Sequence, residues 1–205
     1  MKIIAVGWNY RLHNKEMGRE DKPAALTVFM KPETALLKDG KPFFLPHFSE
    51  RIEHEAEVVV RICRVGKNIA PRFACRYYDA ITLGVDFTAR DLQARLREQG
   101  APWEIAKAFD GSAALGTWID KTSLPSLDEG IPFSLQINGT TVQSGNTCDM
   151  IYGIDDIIAY VSRFFTLKMG DIIYTGTPQG VGAVHIDDHV TGYLGDNKVL
   201  EFNVK

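Results

Sequence analysis

With 205 residues, 45% of them hydrophobic, the chain is long enough for one globular domain, residues 1–205, that buries most of its unfolded surface. Its formal net charge of −3 and its scattered Lys and Arg residues exclude the basic surface that nucleic-acid binding requires. Three widely spaced cysteines indicate neither a disulfide framework nor a zinc site. No apolar run approaches the roughly 20 residues of a membrane span, so we expect a cytoplasmic protein without membrane partners.

The N-terminal segment predicts a short strand followed by a polar helix. Residues 2–6 are apolar and end at Gly7, and residues 9–20 contain helix formers but few apolar anchors. His13 and Glu16 lie at i and i+3 on one helical face, where a carboxylate can orient an imidazole and raise its basicity. This pair can activate a water molecule, or it can be an ordinary solvated helix face.

The next segments predict a β-rich region. Residues 24–30 have the composition of a strand, and Lys31-Pro32-Glu33 interrupts them. Asp39-Gly40-Lys41-Pro42 is a turn signal between further extended segments. We therefore expect short strands joined by tight turns ahead of residue 52.

Residues 52–62 predict one buried strand that begins with clustered carboxylates. Alternation along this strand places Glu53, Glu55 and Glu57 on one face, and three valines follow at 58–60. Because like charges repel, the cluster calls for a positive partner, and carboxylates two residues apart can bind one hard cation such as Mg²⁺, Mn²⁺ or Ca²⁺. The alternative is a solvated edge strand whose partners are Lys or Arg.

A third carboxylate follows the next predicted strand. Residues 71–79 have the spacing of an amphipathic helix, and residues 80–85 form an apolar run that ends at Asp86. Asp86 can meet the glutamates in space, or it can be the N-cap of the following helix.

That helix is expected to open at Thr88 and close at Gly100. Arg90 and Gln93 lie on one of its faces at i and i+3. An Arg beside a metal can bind a substrate carboxylate through two hydrogen bonds, whereas the alternative is an ordinary charged helix surface.

Lys107 lies in a mostly apolar and aromatic stretch, residues 102–111. Burying an amine there is unfavourable unless the amine is paired or functional, so Lys107 is a candidate site residue. The rest of the chain predicts a β-hairpin, a helix, a strand, a glycine-rich loop and a closing strand pair at residues 133–143, 154–165, 172–174, 175–182 and 187–204, respectively. The loop can present N–H groups to an anionic ligand, or it can be a tight turn without one.

Six segments, in order along nearly the whole chain, resemble the fumarylacetoacetate hydrolase superfamily, and in particular its short branch of acylpyruvate hydrolases, oxaloacetate decarboxylases and isomerases. They are GWNYRLHNKEMG, IEHEAEVVV, GVDFTARDLQ, PWEIAKAFDGS, NGTTVQSGNTCDMIY and IIYTGTPQGVG. The resemblance implies an α+β, β-rich fold, a mixed β-sandwich roll with short helices and an N-terminal lid. It also implies a bound Mg²⁺ or Mn²⁺ ion and a homodimer.

The resemblance further implies individual roles for residues of this chain. The ExE motif makes Glu55 and Glu57 metal ligands, and the acid of GVDFTARD makes Asp86 the third ligand, whereas Glu53 is not a ligand.

Lys107 is then expected beside the metal. Arg90 and Gln93 are expected to contact the substrate, and Thr177 of TGTP is expected to line the pocket.

The resemblance also makes residues 9–20 a mobile lid, on which His13 and Glu16 form a water-activating dyad. Trp8 departs from the family pattern, because an arginine usually stands there.

Together these residues predict metal-dependent C–C bond cleavage in a small 2-oxo acid: acylpyruvate hydrolysis, with oxaloacetate decarboxylation at the same site. An isomerase or decarboxylase of unsaturated dicarboxylates, such as 2-hydroxyhepta-2,4-diene-1,7-dioate, is an alternative enzyme. A non-catalytic protein that binds a 2-oxo acid through the same metal is the alternative from another class.

Overall fold

In the part of the chain that the structure describes, three β-sheets form the framework, and short helices pack around them. The computed structural model describes residues 1–18, 25–127 and 129–205. In chain order its strands are β1 (Ile3–Gly7), β2 (Thr27–Lys31), β3 (Leu36–Leu37), β4 (Ile52–His54), β5 (Ala56–Ile62), β6 (Tyr78–Asp86), β7 (Thr88–Ala89), β8 (Ala113–Leu115), β9 (Ile119–Asp120), β10 (Pro132–Ile137), β11 (Thr140–Asn146), β12 (Ile172–Tyr174), β13 (Gly182–Ala183), β14 (His189–Leu194) and β15 (Asn197–Asn203). The α-helices are α1 (Arg11–Glu16), α2 (Pro71–Ala74), α3 (Arg90–Glu98), α4 (Glu104–Lys107) and α5 (Ile154–Ser162). The predicted α+β, β-rich class is confirmed.

The largest sheet has eight strands in the order β2-β1-β12-β5-β6-β8-β3, with β9 also paired to β6. It is mixed, because β1 and β12 run parallel while β5 and β6 run antiparallel. The valines of β5 are fully buried at its centre, which is why β-branched residues fill this strand. A four-stranded sheet, β11-β10-β14-β15, and a three-stranded sheet, β13-β4-β7, complete the framework.

The expected single strand over residues 52–62 is wrong at Glu55. There the chain leaves the three-stranded sheet, where β4 pairs with β7 and β13, and enters the eight-stranded sheet as β5. The backbone N–H of Ala56 donates to the side chain of Gln143 instead of to a neighbouring strand. Glu55 therefore lies at a junction between two sheets and not within one pleated strand.

The predicted helices exist but are shorter than expected. Helix α2 ends at Ala74 and not at Asp79, because Tyr78 already pairs with Ile62 in the sheet. Thr88 lies in β7, so α3 begins at Arg90. The predicted turn at Asn138 and Gly139 is confirmed, with both residues at positive φ between β10 and β11.

The N-terminal helix α1 falls within the predicted lid, and residues 19 and 20 of that lid lie outside the described residues, as does Ala24 of the predicted second strand. The other predicted β-elements form: β1, β12 and the closing pair β14 and β15. Within the described residues, the longest helices have nine residues, and none has the length and apolar character to cross a membrane.

Candidate active site

Three buried carboxylates meet at the junction between the sheets. Glu55 lies between β4 and β5, Glu57 lies in β5, and Asp86 is the last residue of the neighbouring strand β6. One oxygen of each carboxylate lies within 4.8 Å of the others, and the residues are 6%, 2% and 0% exposed, respectively. The antiparallel pairing of β5 with β6 brings them together, and the Asp86 N–H donates to the Glu55 carbonyl at 2.8 Å.

Two buried lysines supply positive charge to this cluster. The Lys107 ammonium, at the end of α4, donates to Glu55 Oε2 at 2.6 Å, to Asp86 Oδ2 at 2.8 Å and to Thr88 Oγ1 at 2.6 Å. Burial lowers the pKa of Lys107, but the charges of Asp86 and Glu55 outweigh burial and raise it above its usual value. Lys31 Nζ lies 2.7 Å from the other Asp86 oxygen. Lys107 is therefore paired, as its apolar surroundings require.

The pKa values of Glu55 and Glu57 shift in opposite directions because the partners of the two residues differ. Burial alone raises the pKa of Glu55, but Lys107 and Arg90 outweigh burial and hold the pKa below its usual value. Among the described residues, Glu57 accepts one hydrogen bond, from the backbone N–H of Gly176 at 2.7 Å. Burial raises the pKa of Glu57 well above its usual value, and the charges of Asp86 and Glu55 raise it further. Three hard oxygen donors so close together fit a divalent cation, which would relieve this repulsion.

Glu53 is held apart from the cluster by arginines. Arg90 Nε donates to Glu53 Oε2 at 2.5 Å, and Arg51 contacts the other Glu53 oxygen at 2.5 Å. Arg90 also donates to Glu55 Oε1 and to Gln93 Oε1, both at 2.6 Å. Arg90 and Gln93 therefore reach the cluster from α3, and their predicted contact with a substrate stays a prediction.

The histidine of the predicted dyad is buried and not on a solvated helix face. His13 is 5% exposed, and its Nδ1 lies 3.3 Å from Glu16 Oε2. Burial lowers the pKa of His13, although Glu55 and Glu16 partly oppose the shift. The His13 ring stacks on Trp8, with 6.0 Å between ring centroids, and Trp8 has a φ of 65°.

The glycine-rich loop, residues 175–182, binds the protein's own carboxylates. Gly176 N–H donates to Glu57, and Gly180 N–H donates to Glu16 Oε1 at 3.1 Å. Gly176 has a φ of 101°, and a Cβ atom there would lie 2.7 Å from Asn9 Cβ, so the loop requires glycine at this position. The loop thus connects the acidic cluster to the predicted dyad.

Most of the site residues predicted from the sequence line one cavity of about 20 Å³. These residues, all in its lining, are His13, Glu55, Glu57, Asp86, Arg90, Gln93, Lys107 and Thr177. Glu16 lies in an adjoining cavity of about 390 Å³, whose lining shares Arg90 and Gln93 with the first.

Sequence reasoning missed three buried polar residues at this site. Lys31 directly follows the apolar run of the predicted strand, and a lysine beside apolar residues carries the same signal that identified Lys107. His54 and Gln143 form a hydrogen bond at 2.8 Å behind the cluster. The sequence carries no signal that these two residues meet, because 89 positions separate them.

Comparison with known proteins assigns the whole chain to one group. The family model for the fumarylacetoacetate (FAA) hydrolase C-terminal domain matches residues 2–205. Oxaloacetate tautomerase YcgM from Escherichia coli is 38% identical over 190 residues, which are 93% of this chain and 86% of that protein. The mitochondrial oxaloacetate tautomerase of Rattus norvegicus is 36% identical over 203 residues, 99% of this chain and 91% of that protein.

A solved structure is similar over the entire chain. Fumarylpyruvate hydrolase from Pseudomonas aeruginosa, crystallised in complex with Mn²⁺ and pyruvate, matches with a TM-score of 0.93 and 33% sequence identity. The match covers 100% of this chain and 89% of that one.

Proposed function

The chain belongs to the fumarylacetoacetate hydrolase family and is an enzyme of that family, and on this basis we propose that it cleaves a C–C bond in a small 2-oxo acid with the help of a divalent metal ion. The activity proposed first is hydrolysis of an acylpyruvate, such as acetylpyruvate or fumarylpyruvate, with decarboxylation of oxaloacetate at the same site. One observation carries the proposal: His13, the acidic cluster and Lys107 line one buried cavity, and Glu16 contacts His13 beside it.

The proposed cofactor is Mg²⁺ or Mn²⁺, held by Glu55, Glu57 and Asp86. Carboxylate oxygens are the ligands that both ions prefer, and the similar fumarylpyruvate hydrolase binds Mn²⁺ together with pyruvate. When bound, the ion supplies Lewis acidity that polarises the carbonyl of an oxo acid.

Side chains of the protein carry out proton transfer, charge stabilisation and substrate binding. Glu16 accepts the Nδ1 proton of His13, which leaves Nε2 free to take a proton from a water molecule. The water attacks the distal carbonyl, the bond to C3 breaks, and its electron pair stays on the pyruvate fragment until a proton returns. Lys107 stabilises the negative charge on that fragment, and Arg90, Gln93 and Thr177 hold the substrate.

Decarboxylation of oxaloacetate needs fewer of these residues. Loss of CO₂ leaves the same electron pair on the pyruvate fragment, and no attacking water is required. Lys107 and the acidic cluster therefore take part in both reactions, whereas the His13–Glu16 pair takes part mainly in hydrolysis.

We further propose that α1 moves when a substrate enters. A cavity of about 20 Å³ has room for about one water molecule, so no acylpyruvate fits while α1 lies in place. The contact between Gly180 N–H and Glu16 is one that this movement breaks.

Interconversion of the keto and enol forms of oxaloacetate is a second candidate activity. It is favoured by two relatives named oxaloacetate tautomerase, which are 38% and 36% identical to this chain. In this reaction a proton leaves C3 and one arrives on the C2 oxygen, so His13 would act as a base toward carbon instead of toward water.

The test is parallel turnover of acetylpyruvate, fumarylpyruvate and oxaloacetate with Mg²⁺ or Mn²⁺, for the native protein and for His13→Ala. We expect loss of a positioned base to lower acylpyruvate hydrolysis by about 10²- to 10⁴-fold and to lower decarboxylation less. Leu12→Ala is the matched control, because Leu12 is on the same helix and 61% exposed.

Equal losses of hydrolysis and decarboxylation in His13→Ala would contradict the role of His13 as the base toward water. Turnover of oxaloacetate alone, unchanged in the variant, would identify a decarboxylase. Conversion between keto and enol oxaloacetate without release of pyruvate would favour the second candidate.

A further inference from the structure

Gln143 lies behind the wall of the cavity, and its amide connects two parts of the site. It belongs to β11 and is 2% exposed. Its Oε1 accepts from Ala56 N–H at 2.9 Å and lies 2.8 Å from His54 Nδ1. Its Nε2 donates to Thr177 Oγ1 at 2.9 Å and to the Pro178 carbonyl at 3.1 Å. All four hydrogen-bonding positions of the amide are therefore used.

Two backbone groups fix the orientation of this amide. Ala56 N–H can only donate, so the atom that faces it is the amide oxygen. The Pro178 carbonyl can only accept, so the atom that faces it is the amide nitrogen. Consequently His54 Nδ1 carries a proton and donates it, and Thr177 Oγ1 accepts from Gln143.

The Thr177 hydroxyl has one proton, and its partner Gln143 already donates to it. That proton must therefore be directed elsewhere. Thr177 is 4% exposed and lines the same cavity as Lys107, so an acceptor inside the cavity is the available partner. We propose that Gln143 is a positioning residue that makes the Thr177 hydroxyl a hydrogen-bond donor to an oxygen of the bound 2-oxo acid. The proposal rests on the function proposed above.

The substitution Gln143→Glu reverses this polarity on the Thr177 side. One carboxylate oxygen can still accept from Ala56 and His54, so the contacts with these two residues are retained. The other oxygen replaces Nε2, so the hydrogen bond to the Pro178 carbonyl is lost and Thr177 has to donate its proton to the carboxylate, away from the substrate. Thr177→Val removes the hydroxyl at nearly constant shape, and Thr177→Ser keeps it.

Two quantities are measured. Calorimetry gives the affinity of the Mn²⁺-loaded protein for oxalate, a two-carboxylate mimic of an oxo acid. Steady-state kinetics gives kcat/KM for the acylpyruvate that the native protein turns over fastest. We expect Gln143→Glu and Thr177→Val each to lower both by about 10- to 100-fold, the size of one hydrogen bond to a charged group. We expect the oxalate affinity and kcat/KM of the double variant to be no lower than those of the more impaired single variant, because both changes remove the same interaction. Mn²⁺ affinity is expected to stay within threefold of the native value, and Thr177→Ser is expected to retain most of the activity.

The matched control is Gln136→Glu, the same chemical change on the neighbouring strand β10 at a half-buried position outside the site. The proposal is overturned if Gln143→Glu behaves like Gln136→Glu, if the two losses multiply in the double variant, or if Mn²⁺ affinity falls in parallel with oxalate affinity. If the native protein turns over none of the oxo acids but oxalate binding follows the expected pattern, the proposed reaction fails and the role of Gln143 stands.

A measurement on the native protein avoids any dependence on the folding of a variant. Nitrogen-15 NMR of the Mg²⁺-loaded protein should show the His54 proton on Nδ1 with a slow solvent exchange. A ring with a bare Nδ1 would reverse the orientation of the Gln143 amide and overturn the proposal.

Discussion

The buried imidazole of His13 determines the pH range in which the proposed base can act. Because burial holds the pKa of His13 below its usual value near 6.5, the neutral ring persists to lower pH than in an exposed histidine. Below that shifted pKa the ring is protonated and cannot take a proton from water. Hydrolysis should therefore keep its plateau rate to lower pH than a histidine with an unshifted pKa would allow, and fall in more acidic solution.

The substitution Glu16→Gln tests this account of the pH dependence of hydrolysis. Glu16 raises the pKa of His13 through its hydrogen bond and its charge, so the variant should shift the acidic limb of kcat to still lower pH. The plateau should fall, since a neutral amide orients the imidazole less firmly. The measurement is kcat against pH for acylpyruvate hydrolysis, with Glu98→Gln on α3 as an exposed control. A limb that moves to higher pH would contradict this account of His13.

At the scale of single elements, β6 is the strand on which the site depends. It lies between β5 and β8, ends at Asp86, and carries Gly84 opposite Glu57. A Cβ atom on Gly84 would lie 2.7 Å from the Ala114 carbonyl oxygen and from Tyr174 Cε1, and 2.9 Å from Val59 Cγ2. The close approach of the β6 backbone to its neighbours therefore requires glycine at this position.

Gly84→Ala should lower the free energy of unfolding by about 1–3 kcal/mol, the usual effect of overpacking a rigid interior. Denaturant titration of the purified protein measures this change. Gly7→Ala is the matched control on β1, because its added Cβ would meet nothing closer than 3.7 Å. Equal free energies of unfolding for Gly84→Ala and the native protein would contradict this, because they would show that the neighbouring strands can move apart to accommodate the added Cβ atom.

Sequence patterns located most elements but not their ends. The hairpin at Asn138 and Gly139 was predictable, because its turn needs two adjacent residues that tolerate positive φ. The end of α2 was not, since the pairing of Tyr78 with Ile62 takes the chain out of its helical pattern. Periodicity describes one element at a time, whereas strand pairing depends on a distant partner.

At the scale of the whole molecule, a bound cation should contribute directly to stability. The three carboxylates lie within 4.8 Å of one another only in the folded chain, so an ion that binds them binds the folded state. Mn²⁺ at a hundred times its dissociation constant should add about 2.7 kcal/mol to the free energy of unfolding. For a chain of this size that corresponds to a rise in Tm of about 5–10 °C.

Glu57→Gln should separate two effects of this carboxylate, its effect on stability without metal and its effect on stabilisation by a bound ion. Without metal, the variant should be at least as stable as the native protein, because it removes a carboxyl group whose ionised form is disfavoured by burial and by the charges of Asp86 and Glu55. With Mn²⁺, most of the rise in Tm should disappear, because one ligand is lost. Thermal unfolding with Mn²⁺ and with a chelator measures both, and an undiminished rise in the variant would exclude Glu57 as a ligand. The homodimer and the cytoplasmic location stay predictions at this scale.

By itself, the sequence determined the β-rich class, the buried valines of β5 and the acids that begin and end the central strands. Local composition and alternation carry this information, and the order of motifs along the chain identified the family. Local patterns alone did not decide which acids share a site; the family resemblance set Glu53 apart, and only the tertiary structure gives the physical reason. Alternation alone gave Glu53, Glu55 and Glu57 the same face, yet the change of sheet at Glu55 turns Glu53 toward Arg90 and leaves Glu55 and Glu57 with Asp86.

The tertiary structure also decided the partners of Lys31, His54 and Gln143. Each of these polar residues is buried against groups that are remote in the chain, and a buried polar group is stable only when its hydrogen bonds are satisfied. Those bonds form between segments that are far apart in the chain, so they depend on three-dimensional proximity that no local pattern encodes.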